Sequence, residues 1–108
     1  MVVRSITDPR IVSVESGVVS NVWLNHSSYG NCVEIQHLYE DGTVIYSFYA
    51  HMKNDSVTVQ AGDIVEKGQT IGTMGSTGNS TGNHLHFEIR TNSGYAYNTN
   101  PTSYVFGN

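Results

Sequence analysis

Apolar and polar positions alternate with a period of two along most of this chain. In the clearest run, His84 to Ile89, the apolar Leu85, Phe87 and Ile89 fall on one side of an extended strand, and His84, His86 and Glu88 on the other. The same reading predicts short strands over 11–14, 17–23, 32–39, 43–51 and 56–59, with further extended pieces at 61–65 and 67–72. Asp41-Gly42 predicts a tight hairpin turn between two of these strands, since glycine takes the positive φ such a turn needs. Residues 25–31, rich in serine, predict a loop, and the chain after Arg90 reads as a polar tail containing Asn100-Pro101. No stretch of ten residues carries a helical period, and no linker or internal boundary is visible. The predicted fold is therefore all-β: one domain over 1–108, with antiparallel strands in a two-layer sandwich or partly open barrel. A groove should cross one sheet, flanked by the 25–31 and 75–82 loops.

Composition narrows the function classes. Charged residues make up 13% of the 108 residues and glycine contributes 11, which suits many tight turns and one modest core. The net charge of −4, with five dispersed Lys and Arg, argues against a nucleic-acid or anionic-membrane surface. With Cys32 as the one cysteine, an intrachain disulfide and a cysteine-built zinc cage are both excluded, and Cys32 is expected to be a small apolar filler. No run of 18 apolar residues suggests a membrane-spanning helix, and the first five residues are too short for a signal peptide.

The candidate chemistry lies in the histidines. His84 and His86 stand about 6.6 Å apart along a strand. That spacing suits one as a metal ligand and the other as neighbour to a metal-bound water. His26, in the serine-rich loop, is expected at the surface, and His37 is expected to be a hydrogen-bonded structural residue. The 75–82 loop lacks the Lys-Ser/Thr ending and following helix of a phosphate cradle, so it is expected to be a rim that lets a peptide backbone approach closely.

Four segments together resemble the lysostaphin-like (LytM-type) zinc endopeptidases, which cut peptide cross-links in bacterial cell walls. These are Tyr29-Gly-Asn-Cys-Val-Glu-Ile-Gln-His37, Tyr49-Ala-His-Met52, the 57–72 segment with Ala61-Gly-Asp and Gly68-Gln, and the 75–89 signature ending His84-Leu-His-Phe-Glu-Ile89. Asn100-Pro-Thr-Ser-Tyr104 resembles the usual ending, so the resemblance covers roughly 10–104. It implies zinc-assisted hydrolysis of a peptidoglycan peptide, with His86 as a zinc ligand, His84 as general base on the metal-bound water, and His51 as the second catalytic histidine. Glu88 is expected to orient an imidazole from behind, or to be a solvated strand residue. Tyr49 and Asn83 are placed beside the groove. The implied setting is extracellular, in the cell envelope or on a phage virion.

One departure bears on activity. The family supplies two further zinc ligands, a His and an Asp, from a segment whose spacing puts the Asp at or just before Val2 and the His before Met1. The expectation is an incomplete zinc site in this chain taken alone. Three accounts stay open: a degenerate homologue, a missing segment supplied by an upstream domain or partner chain, or a different ligand set of His51, His84 and His86 helped by Asp8 or His26. The rival function is a non-catalytic module of the same fold that binds wall peptide or another envelope or virion protein. A biotinyl or lipoyl carrier is disfavoured because neither Lys53 nor Lys67 sits at a hairpin tip. A phosphotransferase domain is disfavoured by its different histidine pairing.

Overall fold

The computed structural model describes residues 10–27, 29–78, 84–90 and 102–107, with backbone alone at 84–85 and 102–107. Eight strands form: β1 (Arg10–Val12), β2 (Gly17–His26), β3 (Gly30–Leu38), β4 (Val44–Met52), β5 (Ile64–Val65), β6 (Thr70–Thr73), β7 (His84–Arg90) and β8 (Thr102–Gly107). Six of them make one antiparallel sheet in the order β5-β2-β3-β4-β7-β8, and β1 pairs with β6 in a second, two-stranded sheet. No helix occurs among the described residues, and neither sheet closes on itself. The all-β, two-layer reading holds.

The core lies between the layers. Val33, Ile35, Tyr49 and Phe87 project from the large sheet, and Ile11, Ile71, Val59 and Met74 project toward them from the small sheet and its flanking segments. Each buried aliphatic or aromatic side chain of this kind contributes about 1.5–3 kcal/mol through removal of apolar surface from water. The opposite face of the large sheet carries a smaller cluster of Cys32, Phe48 and Ala50, with Trp23 and Tyr29 packed on it. Cys32 is fully buried there, as an apolar filler should be.

Three readings of the pattern need correction. Residues 56–59 form no strand of their own, although the Thr58 amide donates to the Ile71 carbonyl at 3.1 Å. The 25–31 loop is shorter than expected, because β2 runs to His26 and β3 starts at Gly30. The tail after Arg90 is not merely polar coil: β8 adds a sixth strand, with Phe87 opposite Tyr104 and His84 opposite Gly107. Its place is set by pairing with β7, which the residue pattern alone does not record. The Asp41-Gly42 turn is as predicted, with Gly42 at φ 88° and the Tyr39 amide donating to Thr43 O at 2.9 Å.

Candidate functional site

Alternation along β7 turns His86, Glu88 and Arg90 to the face opposite the main core, while Phe87 and Ile89 pack into that core. Ala50 of β4 stands directly opposite His86, and Phe48 opposite Glu88. A simple pleat would send His51 to the same side as Tyr49, into the aliphatic core. It does not go there. Asn31 pairs with Met52 and Val33 with Tyr49, so Ala50 and His51 together stand opposite Cys32 alone. This is a β-bulge, and His51 sits in it at φ 61°, a left-handed conformation uncommon for a residue with a Cβ. The extra residue reverses the parity of the strand. Met52 returns to the core, and the His51 imidazole lies 6.1 Å from that of His86, at an interplanar angle of 82°.

Both rings are held. His51 Nδ1 donates to the Thr77 carbonyl at 2.6 Å, and its backbone amide donates to Tyr29 O at 2.8 Å. His86 Nε2 donates to Glu88 Oε2 at 2.5 Å. The Tyr29 ring packs against both imidazoles, with centroids 6.1 Å from His51 and 5.5 Å from His86. Because a carbonyl and a carboxylate can only accept, the lone pair of each neutral imidazole falls on the other nitrogen: Nε2 of His51 and Nδ1 of His86.

Beneath His86 lies a buried charged pair. Glu88 is 3% exposed and Arg90 1%, and Arg90 Nε donates to Glu88 Oε1 at 2.7 Å. The Arg90 guanidinium also lies 3.7 Å above the centre of the Phe48 ring, a cation–π contact in a dry setting. Burial pushes the Glu88 carboxyl up, but the hydrogen bonds from His86 and Arg90 outweigh it and hold it down at about 2. Glu88 is therefore an anion at neutral pH, hydrogen-bonded to the His86 ring. Burial, then the Glu88 charge, raises the Tyr29 hydroxyl above its ordinary value, so the phenol stays protonated beside the histidines.

Other expected site residues fall elsewhere. Tyr49 is not beside a groove: it is fully buried in the main core, where its hydroxyl accepts from the Val14 amide at 3.0 Å, and burial pushes its pKa up to about 12. The Tyr-Ala-His motif hid this because the bulge puts Tyr49 and His51 on opposite faces. Asn83 and Asp8 lie outside the described residues, as does the rest of 1–9, and His84 is placed by its backbone alone, at the start of β7. His26 is half-buried, its Nδ1 accepting from the Tyr29 amide at 3.1 Å. His37 is structural as expected, bridging the Ser16 carbonyl at 2.8 Å and the Ser47 hydroxyl at 2.7 Å. Sequence reasoning missed Arg90 and Thr77. Arg90 was findable, since it continues the 84-86-88 face by one more step of two. Thr77 was not, because its contacts are made at distances of 25 and more residues along the chain.

Among the described residues no three His, Cys, Asp or Glu side chains gather closely enough to hold a metal ion. His86 still has the character of a ligand, with one nitrogen fixed by a carboxylate and the other carrying the lone pair.

Comparison with known proteins agrees with this geometry. Peptidase family M23 matches residues 2–99. Glycyl-glycine endopeptidase ALE-1 of Staphylococcus capitis is 45% identical over 91 residues, covering 84% of this chain and 22% of its own length. Peptidoglycan DD-endopeptidase ShyA of Vibrio cholerae is 42% identical over 65 residues, 60% of this chain and 14% of its own. The chain thus spans less than a quarter of the length of these curated relatives. Among solved structures, the catalytic domain of lysostaphin from Staphylococcus simulans superposes with a TM-score of 0.67 at 35% identity, over 82% of this chain and 62% of that one. A zinc-containing peptidase from Vibrio cholerae superposes at 0.62 and 35% identity, over 74% of this chain and 23% of that one. A chain of the SpoIIQ–SpoIIIAH pore-forming complex does so at 0.63 and 33% identity, over 76% of this chain and 49% of that one. With nearly its whole length matched and the histidine face in place, this chain belongs to peptidase family M23.

Proposed function

We propose that this chain is a peptidoglycan endopeptidase domain that acts outside the cytoplasm, at the cell wall. The observation that carries the reading is the convergence of His51 and His86 on one sheet face, each anchored so that a single defined nitrogen is left basic. The named activities of the relatives, glycyl-glycine endopeptidase and peptidoglycan DD-endopeptidase, support a wall peptide as the substrate class.

In this reading His86 is a zinc ligand through Nδ1, and His51 and His84 handle protons. A catalytic zinc site takes three protein ligands and a water. The remaining ligands would come from outside the described residues. Zinc, when bound, supplies a water of near-neutral pKa and polarises a carbonyl. The described side chains do the rest. Glu88 fixes the tautomer and direction of His86. His51 Nε2 carries the lone pair and is the nitrogen that would take a proton. The Tyr29 ring walls both imidazoles on one side.

The test is metal content together with wall digestion. The purified chain is analysed for zinc, then incubated with bacterial walls, with and without added zinc, while turbidity is followed. Stoichiometric zinc with clearing that is lost in His84→Ala and His86→Ala establishes the peptidase. A metal-free chain that clears nothing yet is retained on walls establishes the second reading, a non-catalytic binding module. The likeness to a chain of the SpoIIQ–SpoIIIAH complex, which assembles with another protein, supports only the variant of that reading in which the module binds a protein partner.

A further inference from the structure

The orientation of His51 depends on a residue far from it in sequence. Thr77 lies in the loop after β6 and touches the end of β4 through both of its oxygens. Its carbonyl accepts the His51 Nδ1 proton at 2.6 Å, and its hydroxyl donates to the Met52 carbonyl at 2.6 Å. The same hydroxyl accepts from the Asn31 amide at 3.1 Å. Asn31 is 3% exposed and is itself locked, its side-chain amide donating to Met52 O at 3.1 Å and to Asn54 Oδ1 at 2.8 Å, with Asn25 N donating to its Oδ1 at 2.9 Å. Thr77 also fits against Gly30, where a Cβ would come within 2.3 Å of its hydroxyl oxygen.

We infer that Thr77 is a positioning residue for His51, its hydroxyl bolting the loop to Met52 and Asn31 so that its carbonyl holds the Nδ1 proton and makes Nε2 the basic nitrogen. An unheld imidazole exchanges between two tautomers, and only one presents its lone pair at a given place. The bulge brings the ring to this face. The Thr77 carbonyl decides which nitrogen is basic. The inference rests on the reading of His51 as a proton-handling residue, but the tautomer is measurable without any activity.

The experiment is 15N NMR of the histidine side chains of the full chain at about pH 8, where an ordinary imidazole is neutral. In the wild type the protonated-nitrogen signal of His51 belongs to Nδ1 and the lone-pair signal to Nε2. Thr77→Val keeps the branched shape but loses the hydroxyl, and is expected to move both signals toward the average of two exchanging tautomers. Thr77→Ser keeps the hydroxyl and restores the wild-type pattern. Where walls are digested, Thr77→Val lowers kcat by about 10- to 100-fold with little change in KM, and Thr77→Ser recovers it. A wild-type His51 protonated on Nε2 overturns the inference, and needs no variant to be seen. So does a folded Thr77→Val protein with unchanged His51 signals. The expected NMR pattern in a protein that digests no wall upholds the positioning role of Thr77 and removes the peptidase reading instead.

Discussion

His51 and His86 are anchored through opposite ring nitrogens: His51 by Nδ1 to a backbone carbonyl, His86 by Nε2 to a buried carboxylate. Two imidazoles that face one another across 6.1 Å are thereby made chemically different. One is tied to a neutral acceptor and the other to an anion. A carboxylate behind one ring fixes the nitrogen it offers to a cation, and a carbonyl behind the other fixes the nitrogen that carries its lone pair.

Removing the charge at Glu88 should be costly. Glu88→Gln leaves the Arg90 guanidinium buried beside a neutral amide, and breaking one partner of a buried pair costs about 3–5 kcal/mol. Urea unfolding at pH 7 should show a loss of that order, and a change below about 1 kcal/mol would mean the pair is not as dry as its geometry indicates.

The same pair sets an acid limit. The folded Glu88 carboxyl lies at about 2, against an ordinary 4.5, so its contribution to stability is fully present above 4.5 and is lost as pH falls toward 2. The stability gap between wild type and Glu88→Gln should therefore be constant from pH 7 to near 4.5 and narrow below it. Denaturant midpoints measured across that range check this, and a gap that widens in acid contradicts it.

Glycine positions should separate sharply. Gly30 has φ 67°, and a Cβ there would lie 2.3–2.6 Å from Thr77 atoms, backbone carbon included. Gly42 has φ 88° with nothing within 4 Å. Gly42→Ala should cost about 1–2 kcal/mol from backbone strain alone. Gly30→Ala should cost at least about 2 kcal/mol more through overpacking and should also disturb the His51 signals. Thermal unfolding of the two variants side by side measures the difference.

Tyr49→Phe should reveal that this residue belongs to the core. It removes the acceptor of the Val14 amide, at a cost of about 1 kcal/mol, while wall retention and digestion stay unchanged. A loss of wall binding without loss of stability would place Tyr49 at the site after all.

Strand identity was largely legible from alternation, because a sheet buried on one face imposes a period of two on its residues. His86, Glu88, Phe87 and Ile89 fall where that period puts them. The same rule failed at His51, since a bulge inserts a residue without leaving a compositional mark. Tyr49 was set beside the groove by the Tyr-Ala-His segment of the resemblance, next to a histidine that turns the other way. β8 escaped notice for a different reason: its place is set by pairing with β7, which sequence pattern alone does not record. Thr77 shows the deeper limit. Its role comes from carbonyl and hydroxyl contacts with residues 25 to 46 positions away, and a threonine in a glycine-rich loop advertises none of them.

The bulge opposite Cys32 also makes strand length a chemical variable. Deleting either Ala50 or His51 would leave one residue facing Cys32 and restore an unbroken pleat through Met52. Ala50 deletion would retain every histidine in the chain and keep the imidazole of residue 51 on the same face, yet shift it into the place of Ala50, directly opposite His86, and out of the bulge that the Thr77 carbonyl caps. An inventory of residue types would score such a protein as intact; only the count of positions between Tyr49 and Met52 would disclose that the ring had moved.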